Sequence, residues 1–222
     1  MKHLSSGLLA VLLDRDGVIN EEPGPVLEPA EFRMIPGSAE AVARINETGW
    51  LALIVTNQAA LARGQMELKD FAEITHAMNR SLAEKGASVD GQYLCPHHPD
   101  WLHGKKLSEP GTCACRKPET GLLRRACGSH GILPHEAVMI GDTSKDFEAA
   151  YRFGCPSIGV RTGHGGLDGS CDREPDFWFD DLAAAVSWMT SPLRSASTLI
   201  CMPIEVRPMR KILVQKLTTS PT

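Results

Sequence analysis

The sequence predicts a single α/β domain built on a parallel β-sheet flanked by helices, and three observations carry that prediction. Apolar runs of strand length recur along the chain after segments with helical periodicity, which is how a helix-covered parallel sheet reads in one dimension. Three of those runs are almost purely apolar, as strands buried on both faces must be, and each ends abruptly in polar residues. With 222 residues, 42% of them hydrophobic and 23% charged, the chain is long enough for one well-buried domain and has an ordinary globular composition.

The first strand is expected over residues 8–13, and a helix over 38–48 follows it, closed by Gly49. The second strand, 50–56, leads to a longer helix over 68–85 closed by Gly86. On that helix Phe71, Ile74, Met78 and Leu82 fall at helical spacing, a stripe that belongs to the core. A third strand over 89–94, a helix over 121–129, a fourth strand over 137–140, a helix over 144–153 and a fifth strand over 157–160 complete the alternation. Val186, Trp188 and Met189 are expected to cover the sheet edge. From Ser191 onward the chain carries five basic residues against the single acid Glu205, so this tail is +4 and the remainder −8. Its apolar runs, 199–204 and 212–217, suit an added strand pair, a basic arm or an oligomer contact.

Charge and hydropathy exclude several function classes. A net charge of −4 argues against a nucleic-acid partner, which needs a positive surface to displace counterions, but leaves phosphorylated small molecules open. No apolar stretch reaches the roughly 20 residues that span a bilayer. The apolar run 7–13 is too short for a secretory signal and leads into Asp14-Arg15-Asp16 rather than a cleavage site, so a cytoplasmic protein is expected. Seven cysteines are an odd number, and three cluster with a histidine, which in a reducing compartment points to metal binding more than to disulfides.

In an open parallel sheet, ligands bind beyond the carboxyl ends of the strands. Asp14 and Asp16 stand there after the first strand, Thr56-Asn57-Gln58 after the second, and Gly141-Asp142 after the fourth, with Asp146 one helical turn further on. Lys117 lies in the loop before a helix. Hydrolysis of a phosphate monoester is chiefly a problem of placing and neutralising charge, and this set supplies both. A carboxylate, Asp14, can attack phosphorus once Mg²⁺ and Lys117 relieve its repulsion from the phosphate. Mg²⁺ prefers hard oxygen ligands and keeps several waters, so Asp14, Asp142 and a backbone carbonyl at Asp16 suffice for it. Asp16, beside the same charge cluster, is assigned as general acid and then base, its pKa driven away from that of Asp14. Thr56 would donate its hydroxyl to a phosphoryl oxygen, with backbone N–H groups around Asn57 assisting. Asp-x-Asp alone also fits solvated loop carboxylates or a glycosyltransferase metal site. Its place after a buried strand, followed in order by the other motifs, is what makes it specific.

This ordered set resembles the haloacid dehalogenase (HAD) superfamily over residues 8 to about 189. The spelling Asp14-Arg15-Asp16-Gly17-Val18-Ile19-Asn20 resembles its branch of heptose-bisphosphate and histidinol-phosphate phosphatases. The resemblance implies a Rossmann-like domain over 1–190, with the tail 191–222 outside it. It also implies a zinc-binding loop at 95–115 of the form Cys-x-His then Cys-x-Cys-Arg-Lys-Pro, matched here by Cys95, His97, Cys113 and Cys115 ahead of Arg116-Lys117-Pro118. Three thiolates and one imidazole fill a tetrahedral shell, which is how structural zinc is held, and would clamp the loop that delivers Lys117. His98 is the alternative fourth ligand. Cys127, Cys155, Cys171 and Cys201 are read as small, mostly buried residues.

Only about thirty residues separate the first motif from the second strand, too few for a large cap, so loops must recognise the substrate. By resemblance these are the loop Glu22-Pro23-Gly24-Pro25, the residues from Asn57, Gln58 and Ala59 to Arg63, and Arg116. Arg116 is suited to hold a second phosphate by a forked contact. The chain departs from the branch at Ala59-Ala60, where Ser-Gly is usual, at Thr143, where a lysine is usual and Lys145 or a water is the expected substitute, and at Pro25 and Thr120. His164 is read as a solvated loop histidine. The resemblance implies a small phosphorylated sugar as partner, foremost the 7-phosphate of D-glycero-D-manno-heptose 1,7-bisphosphate; the oligomeric state is left open by the sequence, with a monomer expected. Histidinol phosphate is the rival substrate, kept open by Glu21 and Glu22, and a phospho-accepting signalling domain is the rival class.

Overall fold

The computed structural model describes residues 9–109, 111 and 113–191. Six parallel strands form one sheet: β1 (Ala10–Leu13), β2 (Leu51–Asn57), β3 (Gly91–Cys95), β6 (Ala137–Gly141), β7 (Ser157–Val160) and β8 (Phe177–Phe179), in the order β3-β2-β1-β6-β7-β8. A separate two-stranded antiparallel ribbon, β4 (Trp101–Leu102) with β5 (Lys105–Lys106), lies in the long loop after β3. The helices are α1 (Ser38–Thr48), the single turn α2 (Ala59–Ala62), α3 (Leu68–Ala83), α4 (Gly121–His130), α5 (Ser144–Phe153) and α6 (Leu182–Met189).

The period-2 geometry of a strand explains why the central runs are wholly apolar. In β1, Val11 and Leu13 enter the core shared with Val42, Ile45, Ile74 and Met78, while Ala10 and Leu12 enter the opposite core with Leu122, Leu123 and Ala126. Thus α1, α3 and α6 cover one face, and α4 and α5 the other. β1 sits at the centre, with Leu13 in register with Ile54 on one side and Ile140 on the other. The chain therefore leaves β1, β2 and β6 at one rim.

Element bounds differ modestly from expectation. The third strand begins at Gly91 rather than residue 89, because the Asp90 carboxylate accepts from the Ala52 N–H (2.8 Å) and turns the chain into the sheet. It runs on through Cys95, which pairs with Asn57. The long helix ends at Ala83, and Ala87 N–H reaches back to the Leu82 carbonyl (3.0 Å) around a left-handed Gly86. Residue 8, where the first strand was expected to start, lies outside the described residues, as do both apolar runs of the tail and Cys201. Among the described residues no helix is long and apolar enough to cross a membrane.

Candidate active site

Three strand ends and one loop meet at the carboxyl rim. The Asp14 N–H donates to the Ile140 carbonyl of β6 (2.9 Å), so the sheet itself fixes where this side chain leaves β1. One oxygen of Asp14 accepts from the Arg15 N–H (2.8 Å), and the other lies 2.8 Å from the Lys117 ammonium. Lys117 is 1% exposed, and its ammonium also lies 2.6 Å from Asp146. Burial by itself would favour the neutral amine, but Asp14 and Asp146 outweigh it and hold the pKa above the usual lysine range. The backbone of Lys117 is fixed as firmly: Asn57 accepts from its N–H (3.0 Å) and donates to its carbonyl (3.1 Å).

Asp14, Asp142 and Asp146 are all buried, and each offers an oxygen within 4.8 Å of the others. Burial, with Asp146 and Asp142 nearby, pushes Asp14 up to about 8 despite Lys117. Burial and Asp146 push Asp142 up to about 8 as well, against the His164 N–H that donates to its Oδ2 (2.7 Å). Its Oδ1 is buried with no hydrogen-bond partner among the described residues. Three converging carboxylates, one lysine and an orphaned oxygen fit a small divalent cation with hard-oxygen preference. The backbone leaves space for little else: Gly17 (φ +77°) and Gly163 (φ +61°) pack so closely on Asp142 that a Cβ at either would fall 2.3 or 2.2 Å from its Oδ2.

The Asp16 side chain has its own set of partners. It accepts from the Arg15 fork at 2.8–3.1 Å, from Asn20 (2.9 Å) and from Gln58 (2.7 Å), and Gln58 Nε2 also lies 2.9 Å from Thr56 Oγ1. Asp14 and Asp142 are the carboxylates buried among like charges. The side chains of Asn57 and Gln58, expected at the substrate, are engaged inside the site, one on Lys117 and the other on Asp16 and Thr56.

Around this centre, Glu22 stands half-buried beside exposed Pro23 and Pro25, with Gly24 partly covered. Burial, with Asp16 and Asp14 close by, pushes Glu22 up to about 7, and its carboxylate lies 3.6 Å from the half-exposed ring of His164. Ala59 opens α2, and Arg63 reaches His98 (3.3 Å). Arg116 donates to the His97 carbonyl (2.9 Å). A cavity of about 290 Å³ opens between Arg116, Lys117, Lys145 and Ser170.

Cys95, His97, Cys113 and Cys115 gather as expected: their Sγ and Nδ1 atoms are separated by 3.0–3.7 Å along all six edges, the proportions of a tetrahedral ligand shell. His98 is outside it, occupied with Arg63 and the Asp100 N–H. The loop is pressed onto the start of α4, where Gly121 donates to the Ala114 carbonyl (2.9 Å) and a Cβ would collide with it. Cys127 and Cys155 are buried and Cys171 partly so.

Asp146 is the functional residue that sequence reasoning left without a role. Thr143-x-x-Asp146 carries the signature of a capping box, and Asp146 Oδ2 accepts from the Thr143 N–H (3.1 Å) and hydroxyl (2.6 Å), which aims Oδ1 at Lys117.

Comparison with known proteins agrees with this geometry. A HAD-hydrolase-like family model matches residues 114–185. The fold and site define a HAD-type phosphoric monoester hydrolase. A D-glycero-D-manno-heptose-1,7-bisphosphate 7-phosphatase of Thermosynechococcus vestitus is 37% identical over 189 residues, covering 83% of this chain and 96% of that protein. A D-glycero-beta-D-manno-heptose-1,7-bisphosphate 7-phosphatase of Vibrio cholerae is 40% identical over 155 residues, 69% of this chain and 82% of its own. The crystal structure of a D,D-heptose 1,7-bisphosphate phosphatase from B. bronchiseptica, complexed with magnesium and phosphate, superimposes with a TM-score of 0.73 at 33% identity, covering 82% of this chain and 98% of that one. The chain belongs to this heptose-bisphosphate phosphatase family.

Proposed function

We propose that the enzyme removes the 7-phosphate of D-glycero-D-manno-heptose 1,7-bisphosphate through an aspartyl-phosphate on Asp14. The observation that carries the mechanism is Lys117, which is fully buried and ion-paired with both Asp14 and Asp146. A carboxylate beside an ammonium can approach an anionic phosphate that would otherwise repel it. An oxygen of Asp14 attacks phosphorus, and the bond to the sugar oxygen breaks. Asp16 gives that leaving oxygen a proton, then takes one from the water that attacks the aspartyl-phosphate, releasing phosphate and restoring Asp14. Thr56 would donate to a phosphoryl oxygen, with Gln58 holding both it and Asp16 in place. Asp14, Asp142 and the Asp16 backbone carbonyl would hold Mg²⁺, as the orphaned Asp142 oxygen favours, with Asp146 completing the carboxylate group behind them. Bound there, the ion supplies positive charge to the phosphoryl oxygens. Zinc would sit in the Cys95-His97-Cys113-Cys115 shell as a structural ion.

The cationic cavity beside Lys117 favours a second anionic group over the cationic histidinol, with Arg116 as its forked partner. Glu22, Pro23, Gly24, Pro25, Ala59 and Arg63 would border the sugar. The test is phosphate release from the heptose bisphosphate and from histidinol phosphate with Mg²⁺, beside Asp14→Asn. The bisphosphate should be the better substrate, and turnover should fall on the order of 10⁴-fold in the variant. A variant as active as the parent would sink the assignment.

A further inference from the structure

We propose that Glu22, Asp142 and His164 form a second, outer site for a borderline divalent cation such as Zn²⁺, and that an ion held there restrains hydrolysis. Each of the three offers one ligand atom within 4.8 Å of the others, a group distinct from both the Cys95-His97-Cys113-Cys115 shell and the Asp14-Asp142-Asp146 cluster. The donor set decides which ion it suits. An imidazole beside two carboxylates matches zinc and its transition-metal neighbours, whereas Mg²⁺ prefers oxygen alone and keeps its waters.

The three groups have lone pairs to give. Among the described residues the Glu22 carboxylate and the His164 ring make no hydrogen bond, and they face each other at 3.6 Å, too long for one. That separation is close to the roughly 3.4 Å between two ligands that each stand about 2.1 Å from a tetrahedral ion. Asp142 spends Oδ2 on the His164 N–H (2.7 Å) and leaves Oδ1 without a partner, in a residue that is 0% exposed. A carboxylate offers about four lone-pair positions, so Asp142 can be claimed by the inner Mg²⁺ centre and by an outer ion at once.

The loop that carries His164 is fixed in advance. The Thr162 hydroxyl donates to the Gly17 carbonyl (2.7 Å), and the Gly166 N–H donates to the Asp142 carbonyl (2.6 Å). His164 is thereby held beside the metal aspartate with its ring 50% exposed, and Glu22, 30% exposed, approaches from the loop after β1. The site opens to solvent on one side and reaches buried Asp142 on the other, which gives an ion a way in. An ion there would draw on the carboxylate that serves Mg²⁺ and tie down Glu22 at the border of the sugar. The restraint on hydrolysis rests on that reading of Asp142 and Glu22; the existence of the site does not.

The test uses the full chain with its Cys-His shell loaded with zinc and with Mg²⁺ in excess. Dialysed to equilibrium against free Zn²⁺, the parent should hold one more zinc ion per chain, by atomic absorption, than His164→Ala or His164→Gln. A loss common to both variants is a loss of the imidazole, and turnover with Mg²⁺ alone reports that they are folded. Zinc should inhibit phosphate release by the parent, and about tenfold or more zinc should be needed for the same inhibition in H164A and H164Q, since even a supporting partner of a ligand is worth that much in metal affinity. Equal zinc counts in parent and variants overturn the outer site, as does equal sensitivity to zinc, because the inhibiting ion then lies elsewhere, for example in place of Mg²⁺ on Asp14 and Asp142. An extra zinc that depends on His164 but leaves turnover unchanged overturns the restraint, and with it the sharing of Asp142 with Mg²⁺.

Discussion

Replacing Lys117 by methionine keeps the bulk of the side chain and removes its charge, leaving Asp14 and Asp146 facing each other in a buried site. That loss should destabilise the protein by about 3–5 kcal/mol, measurable by urea unfolding, and abolish phosphate release. Asp146→Asn keeps the shape of the Lys117 support but weakens its grip. Turnover should fall about 10- to 100-fold with the fold intact, as for other supporting partners of an active-site group. A variant with parental kcat would remove Asp146 from the site. Side chains such as Asp14, Lys117 and Asp142 were legible in the sequence because each stands directly after a strand or before a helix. Asp146 was seen but not understood, since its partner is 29 positions away in the chain and no periodicity joins them. The internal engagement of Asn57 and Gln58 was hidden for the same reason, because a polar side chain in a motif reads alike whether it faces ligand or protein.

At the scale of elements, the strands buried on both faces announced themselves through unbroken apolarity, and α1 and α5 matched their expected limits through left-handed Gly49 and Gly154 after their last turns. Short pieces escaped. β8 has three residues and is held by the Phe147–Trp178 and Phe177–Trp188 ring contacts, while β4 and β5 contribute two residues each, below the length at which alternation can be counted. The Cys95-His97-Cys113-Cys115 cluster was legible because such a ligand set carries its own spacing, independent of secondary structure. If it clamps Lys117 as proposed, Cys113→Ala should lose bound zinc, read by atomic absorption, and lose turnover with it. Full turnover in zinc-free protein would leave the cluster with no part in positioning Lys117.

For the whole molecule, the pKa values of Asp14 and Asp142 near 8 fix the sign of a pH effect. Between about pH 4 and 8 the folded, metal-free protein keeps protons that the unfolded chain has released, so its stability falls as pH rises through that window. Mg²⁺ competes with those protons. The rise in melting temperature on adding Mg²⁺ should therefore be larger at pH 8 than at pH 6, and a pH-independent rise would refute the shared site. The described residues already close the sheet and both its cores, and we propose that residues 1–190 are the catalytic domain. A chain ending at Ser191 should keep its melting temperature within a few degrees and its turnover within about twofold, since the six strands, the two cores and the site side chains all belong to residues 9–191. One consequence reaches beyond phosphate chemistry. The ammonium facing Asp14 hangs two residues from Cys115, in a sulfur cluster only partly shielded from solvent. If the cluster positions Lys117 as proposed, mercurials, alkylating agents and peroxide, to which a reaction run by aspartates is indifferent, would gain a lever on hydrolysis from the protein surface.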